Sequence, residues 1–210
     1  ATPKKQGRYP GVLVVHENRG LVEHIKDVVR RLATAGIVGL SIDLLSRQGG
    51  ADKLSDPAAY AAALAKQPVA SMITDLTATL VYLGRQSSVN RQALGTVGFC
   101  FGGGIVWNLV ASDLPVKAAV PFYGPPPSDP GRLATTHVNV LAIYAELDTR
   151  ITSSSGQVDE QLAKAGVAHK VTIYPGVNHA FHNDTGSRYA PVQAQQAWVA
   201  TIEWFRKYLV

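Results

Sequence analysis

Cys100 is the only cysteine of the chain and lies in the stretch GFCFGGG, residues 98–104. Gly98 and Gly102 flank it at the Gly-x-Cys-x-Gly spacing, which is typical of a nucleophile elbow, a sharp turn that joins a strand to a helix. Such a turn exposes the thiol at a helix N-terminus, where the helix dipole favours a thiolate. The spacing therefore favours a nucleophile over the alternative, a small buried apolar cysteine. The glycines do not fit the G-x-G-x-x-G fingerprint of a dinucleotide site.

A nucleophile of this kind needs a base and a carboxylate that orients it, and in hydrolases with this elbow the chain order is nucleophile, acid, histidine. Asp148 follows Tyr144 by four residues, at a predicted strand end; a turn-forming or helix-capping aspartate is the alternative. The stretch YPGVNHAFHND offers His179 and His182 as the base, and we favour His179 because it is nearer to the strand end. Both histidines with Asp184 would make a metal site, but no further cluster supports it. We predict neither a metal nor a cofactor.

The elements that must position these residues alternate between strands and helices. Short Val-rich apolar runs predict strands at 11–16, 37–42, 93–99, 116–122, 138–144 and 169–174. Helical spacing predicts helices from Val22 to the stop at Gly36, and at 57–66, 68–86, 101–112, 153–166 and 191–208. This alternation predicts one α/β domain over residues 1–210, with a parallel sheet that carries helices on both faces.

Composition restricts the class of protein and its partners. With 46% hydrophobic and 17% charged residues among 210, the chain is typical of one globular domain. No apolar run approaches the roughly 20 residues of a membrane helix, and the N-terminal ATPKKQGRYP lacks the apolar segment of a signal peptide. The net charge of +5 is scattered along the chain, which favours an anionic substrate over nucleic acid. We therefore expect a cytoplasmic protein with no membrane or nucleic-acid partner, and leave open that a leader has been removed.

The motifs also resemble those of a known family. The residues that carry this resemblance are the elbow GFCFGGG, Asp148 in AELD, His179 in GVNHAF, HENRGL after the first strand and DLLSRQG after the second. Over nearly the whole chain they are similar to the dienelactone hydrolases, or carboxymethylenebutenolidases, of the α/β-hydrolase superfamily. The resemblance implies a three-layer α/β-hydrolase fold. It also implies a Cys100, His179 and Asp148 triad that cleaves a small-molecule ester or enol-lactone through a thioester acyl-enzyme, as in the opening of dienelactone during chloroaromatic breakdown.

Three residues around the nucleophile receive roles from the same resemblance. It implies that Glu17 holds the resting thiol neutral and takes its proton when an anionic substrate arrives; a solvated loop glutamate is the alternative. The backbone N–H groups of Phe101 and Asn18 would hold the oxyanion, because they follow the nucleophile and the first strand.

Substrate recognition is where the chain departs from the family pattern. Arg47 matches one arginine of the family's carboxylate clamp, with an exposed loop arginine as the alternative. The second arginine is missing after the catalytic histidine, unless His182 or Arg188 replaces it. Tyr123 matches a pocket tyrosine, with a core aromatic as the alternative. The departure makes a carboxylesterase or thioesterase for small neutral esters the alternative function. A thiol redox protein is more distant, because resolving an oxidised Cys100 would need an outside thiol.

The start of the chain is a second departure. Family members usually have two strands before the one at 11–16, where this chain has ten residues. We expect a sheet that lacks those first two strands, with an exposed edge that favours a homo-oligomer.

Overall fold

The sheet is built from six parallel strands, in a computed structural model that describes residues 1–54, 56–112 and 114–210. Their spatial order is β2-β1-β3-β4-β5-β6, and every neighbouring pair is parallel. The strands are β1 (Tyr9–Val15), β2 (Val38–Ser41), β3 (Val89–Phe99), β4 (Ala118–Phe122), β5 (Asn139–Ala145) and β6 (His169–Tyr174). The parallel α/β sheet predicted from the alternation of elements is thereby confirmed.

The connections between the strands are mostly helical. The α-helices are α1 (Glu23–Thr34), α2 (Gly50–Lys53), α3 (Pro57–Ala65), α4 (Val69–Gly84), α5 (Phe101–Val110), α6 (Thr149–Thr152), α7 (Ser155–Ala165) and α8 (Pro191–Tyr208). Helix α3 begins where sequence rules place a start, because the Asp56 side chain accepts hydrogen bonds from the N–H groups of Ala58 and Ala59. None of the described helices is both long and apolar enough to cross a bilayer.

The two faces of the sheet are covered by different helices. Along β1, Val12 and Val14 pack in a cluster with α1 and α8, whereas Leu13 and Val15 pack in a second cluster with α4, α5 and α7. Successive strand residues point to opposite faces, so a strand buried on both sides must be apolar throughout. This explains the unbroken apolar run that predicted β1.

Two features differ from the expected elements. Strand β3 begins at Val89 instead of residue 93, because Tyr9 at the start of β1 pairs with Val89 before the register shifts toward Gly11. The short helices α2 and α6 and the 3₁₀ helices Ser46–Gln48 and Pro130–Thr135 were not predicted. They have only one or two turns each, too few to produce a periodic pattern.

The outer edge of β2 has one backbone partner. The N-terminal ammonium of Ala1 donates to the carbonyl of Gly39 at 2.8 Å, and the Gly39 N–H donates back to the Ala1 carbonyl at 3.0 Å. In the described part of the chain no further strand pairs with β2, so self-association through this edge stays a prediction.

Gly103→Ala should destabilise the fold, whereas Gly156→Ala should not. A Cβ on Gly103 would overlap the Phe122 carbonyl and lie 3.1 Å from the backbone of Gly124, so backbone must shift, at a cost of about 2 kcal/mol or more. A Cβ on Gly156 in α7 would have no atom within 4 Å, and alanine there should increase stability by up to about 1 kcal/mol. Urea unfolding measures both; equal midpoints for the two variants would contradict the packing argument.

Candidate active site

Cys100 lies in a strained turn between β3 and α5. Its backbone has φ 56° and ψ −116°, a conformation that costs a residue with a side chain of the order of 1–3 kcal/mol and occurs mostly at functional sites. The turn is held by its surroundings, because the Cys100 N–H donates to the Phe122 carbonyl at 3.1 Å. A Cβ on Gly98 would overlap the Gly102 carbonyl. Both glycines of the predicted elbow are therefore needed for strand and helix to approach.

His179 and Asp148 form a hydrogen-bonded pair at the same edge of the sheet. His179 Nδ1 lies 2.5 Å from Asp148 Oδ2, and Asp148 is buried. Because an ionised carboxylate can only accept, the Nδ1 proton is fixed there and Nε2 is left as the basic nitrogen. His179 and Cys100 line one cavity of about 500 Å³, the size of a small-molecule site. Among the described hydrogen bonds none joins His179 to the thiol.

The resting thiol of Cys100 is protonated. Burial and the nearby Glu17 carboxylate raise the pKa of the thiol to about 11. The backbone N–H groups of Phe101 and Asn18 and the charge of Arg150 lower this pKa, but these effects are smaller. Both N–H groups thus lie near the thiol, and their role as oxyanion donors stays a prediction.

Glu17 is buried beside the thiol with one free oxygen. Only 5% of the residue is exposed, and its Oε2 accepts from Asn183 Nδ2 at 2.6 Å. Within the described structure Oε1 has no hydrogen-bond partner. A buried carboxylate oxygen without a partner is costly, so a donor that reaches it gains a hydrogen bond.

The peptide between Glu17 and Asn18 is oriented by His16. The Leu44 N–H donates to His16 Nε2 at 3.1 Å, so Nδ1 carries the proton and donates to the Glu17 carbonyl at 2.6 Å. Burial lowers the pKa of His16, which keeps the ring neutral. Since C=O and N–H of one peptide are fixed in a plane, holding the Glu17 carbonyl also fixes the Asn18 N–H.

Tyr123 packs behind His179. It is fully buried, its ring centroid lies 5.0 Å from that of His179, and its φ of 36° is again unusual. Burial, with the negative charge of Glu17, raises the pKa of its hydroxyl. Tyr123 is not among the residues that line the cavity, so its environment fits the alternative interpretation, an aromatic residue of the core.

Arg47 and His182 do not lie where the expected substrate contacts require. The Arg47 side chain is 70% exposed and pairs with Asp75 of α4, with Nε 3.0 Å from Oδ2. His182 is 1% exposed and stacks on Phe99 at 5.1 Å between centroids. Neither lines the cavity of Cys100, which corrects the predicted clamp. The reason is a stronger competing environment, a carboxylate for the one and an aromatic core for the other.

The three residues of the alternative metal site, His179, His182 and Asp184, have separate contacts. Asp184 accepts from His24 Nδ1 at 2.8 Å and forms an ion pair with Arg31 of α1, so it turns away from His179 and ties the loop after β6 to this helix. In the searched, described residues no three potential ligands converge. Arg188 does line the cavity, as one of the expected replacements for the missing arginine.

The cavity residues that the sequence did not predict include Arg19, Arg150 and Asn183. Arg19 and Arg150 follow β1 and β5 by a few residues. A survey of every charged residue after a predicted strand would have found both, because carboxyl ends of parallel strands share one edge. Asn183 carries no such signal, since its role depends on its contact with Glu17.

The sheet order, the helices on both faces and the strained turn after β3 define an α/β-hydrolase fold. A solved structure from Klebsiella pneumoniae subsp. pneumoniae, provisionally named a dienelactone hydrolase, superposes with a TM-score of 0.88 at 30% identity. The match covers 99% of this chain and 91% of that one.

The family follows from two further comparisons. The model of the dienelactone hydrolase family matches residues 1–209. Proteins provisionally named carboxymethylenebutenolidase are 34% identical in Methylorubrum extorquens and 33% in Escherichia coli O157:H7; each match covers 99% of this chain, and 75% and 81% of those proteins. The chain therefore belongs to the dienelactone hydrolase family.

Glu17→Gln should lower the pKa of the Cys100 thiol. The Glu17 charge is the second largest cause that raises this pKa, so its removal favours the thiolate. The rate of Cys100 alkylation by iodoacetamide, measured against pH, should rise at lower pH in the variant. Glu146→Gln is the matched control, because Glu146 is exposed and lies outside the cavity. An unchanged or upward shift in Glu17→Gln would contradict the assignment.

His182→Phe should make the protein less sensitive to acid. Burial lowers the pKa of His182 to about 3, below about 6.5 in the unfolded chain. The unfolded state thus takes up a proton first, and stability present above pH 6.5 is lost as the pH falls, by roughly 1 kcal/mol for each pH unit from this group.

Phenylalanine fits the stack on Phe99 and has no proton to gain. Urea unfolding at pH 7 and pH 5 should give a smaller difference in unfolding free energy for His182→Phe than for the wild type. The exposed His137 provides the control His137→Gln. An equal pH difference in the wild type and His182→Phe would refute the assignment.

Proposed function

We propose that the chain hydrolyses a small ester or an enol-lactone of the dienelactone type, with Cys100 as nucleophile, His179 as base and Asp148 as the carboxylate that orients it. The observation that carries this proposal is that the elbow thiol and the basic nitrogen of the His179–Asp148 pair face one cavity. Membership of the dienelactone hydrolase family supports the same class of reaction.

The first step is deprotonation of the thiol. A pKa of about 11 leaves only about one thiol in ten thousand ionised at neutral pH. The free Oε1 of Glu17 is the proposed acceptor, since it is buried beside Cys100 without a partner. A substrate that disturbs Glu17 would thus generate the nucleophile only when there is something to attack.

Acylation follows in the same cavity. The thiolate attacks the carbonyl carbon, and the resulting oxyanion accepts from the N–H groups of Phe101 and Asn18. When the C–O bond breaks, a thioester forms on Cys100 and the leaving oxygen receives the proton that the thiol gave to Glu17. In a lactone the leaving oxygen stays attached to the acyl chain, so this step opens the ring.

Hydrolysis of the thioester needs the His179–Asp148 pair. His179 Nε2 takes a proton from water, whose oxygen attacks the thioester carbonyl, while Asp148 stabilises the imidazolium that forms. The C–S bond then breaks, the acid is released, and the proton on His179 returns to the thiolate. The sum is one ester and one water converted to an acid and an alcohol, or to one open-chain acid.

A carboxylesterase or thioesterase for neutral esters is the second candidate. It is favoured by the position of Arg47 outside the cavity and by Asn183, a neutral residue, in the segment where the second arginine was expected. A redox function has less support, because redox-active cysteines have low pKa values and the only cysteine of this chain has a raised one. A cytoplasmic location and a homo-oligomer remain proposals from composition and from the sheet edge.

The deciding experiment compares ring opening of dienelactone with hydrolysis of p-nitrophenyl acetate. Both rates should fall by about a thousandfold or more in Cys100→Ala, because the nucleophile is lost. Faster opening of dienelactone would favour the lactonase, and cleavage of the acetate alone would favour the general esterase.

Two further variants serve as controls for this test. Gly156→Ala changes an open surface position and should retain both rates. His179→Ala should slow deacylation, so that mass spectrometry finds one acetyl group on Cys100 after mixing with the acetate. Rates in Cys100→Ala equal to those of the wild type would refute the proposed nucleophile.

A further inference from the structure

The cavity that contains Cys100 is lined by three arginines from three separate loops. Arg19 follows β1, Arg150 lies in α6 after β5, and Arg188 is in the loop after β6. Within the part of the chain that the structure describes, none of the three takes part in a salt bridge, whereas Arg31 and Arg47 are held by carboxylates. Their guanidinium groups are therefore available to a ligand.

The charges of this cavity do not balance. Its lining carries the three arginines and one carboxylate, Glu17, while the remaining lining residues are neutral when His179 is. Among the lining residues, three positive charges against one negative charge leave an excess of two; the Asp148 carboxylate behind His179 lies outside the lining. The charge of Arg150 also reaches the reacting atom, since it lowers the pKa of the Cys100 thiol. All three arginines are exposed, so water solvates their charges when a neutral ester is bound, whereas carboxylates would pair with them directly.

We propose that the substrate carries two carboxylates besides the ester or lactone carbonyl, and that Arg150 and Arg188, assisted by Arg19, determine this specificity. The inference rests on the proposed function for the carbonyl chemistry and adds the charge of the substrate. A guanidinium binds a carboxylate through two parallel hydrogen bonds. Because the arginines come from three loops, they suit two separated carboxylates better than one phosphate group. A cavity of about 500 Å³ accommodates such a small polycarboxylate.

Binding of simple acids to the intact protein tests the proposal without any turnover. Calorimetric titration with glutarate, which has two carboxylates, is compared with butyrate, which has one on a chain of similar length. Glutarate should bind about tenfold or more tightly, because a charge-assisted pair contributes about that much. The advantage should shrink at high salt, because exposed charges are screened.

Variants assign the effect to the cavity. Arg150→Gln and Arg188→Gln should each reduce the preference for glutarate several-fold. Arg132→Gln makes the same change of charge at an exposed arginine that lines a different cavity, and it should retain the wild-type preference. Equal binding of glutarate and butyrate, or a preference that neither cavity variant reduces, would overturn the proposal. Tighter binding of inorganic phosphate than of glutarate would overturn the assignment to two carboxylates.

A kinetic comparison separates this inference from the proposed function. Hydrolysis of p-nitrophenyl acetate by the wild type and Cys100→Ala reports only on the nucleophile. If that assay failed while glutarate still bound through Arg150 and Arg188, the charge assignment would stand and the proposed reaction would be wrong. If hydrolysis depended on Cys100 but glutarate bound no better than butyrate, the reaction would stand and the charge assignment would be wrong.

Discussion

The close approach of α5 to the strands β1, β3 and β4 is the constraint on which the rest of the site depends. Side chains at Gly98, Gly102 or Gly103 would overlap backbone atoms of neighbouring segments. This contact holds Cys100 at a positive φ, a strained conformation that the surrounding packing must offset. In return, the thiol and the N–H of Phe101 point toward the same place, where the loops after β1, β5 and β6 also converge.

Two electrostatic effects act in opposite directions on the charge around the Cys100 thiol. Burial and the charge of Glu17 raise the pKa of the thiol, whereas the arginines of the cavity favour negative charge. Without a ligand the raised pKa of the thiol is decisive, and Cys100 keeps its proton. An anionic ligand would bind the arginines and add negative charge near Glu17, the proposed proton acceptor. Recognition of charge and activation of the nucleophile are, on the proposed mechanism, one event.

The sequence was informative where the signals are local. The strands follow from apolar runs, the turn at Cys100 from glycine spacing, and the pairing of Asp148 with His179 from their positions at strand ends, which the hydrogen bond between them supports. The expected substrate contacts of Arg47 and His182 are not found, because distant segments surround these side chains: the Asp75 carboxylate for Arg47 and the Phe99 ring for His182. No local sequence pattern reports such partners.

The bonds of His16 have a consequence for how the protein can vary. One neutral ring joins the Leu44 N–H to the Glu17 carbonyl, and through that peptide it sets the direction of the Asn18 N–H. The segment after β2 is thus mechanically coupled to the proposed oxyanion site, although it lies outside the cavity. Sequence drift near residue 44 could therefore alter turnover while leaving substrate affinity intact, which makes this segment a place where related proteins can adjust their speed independently of their selectivity.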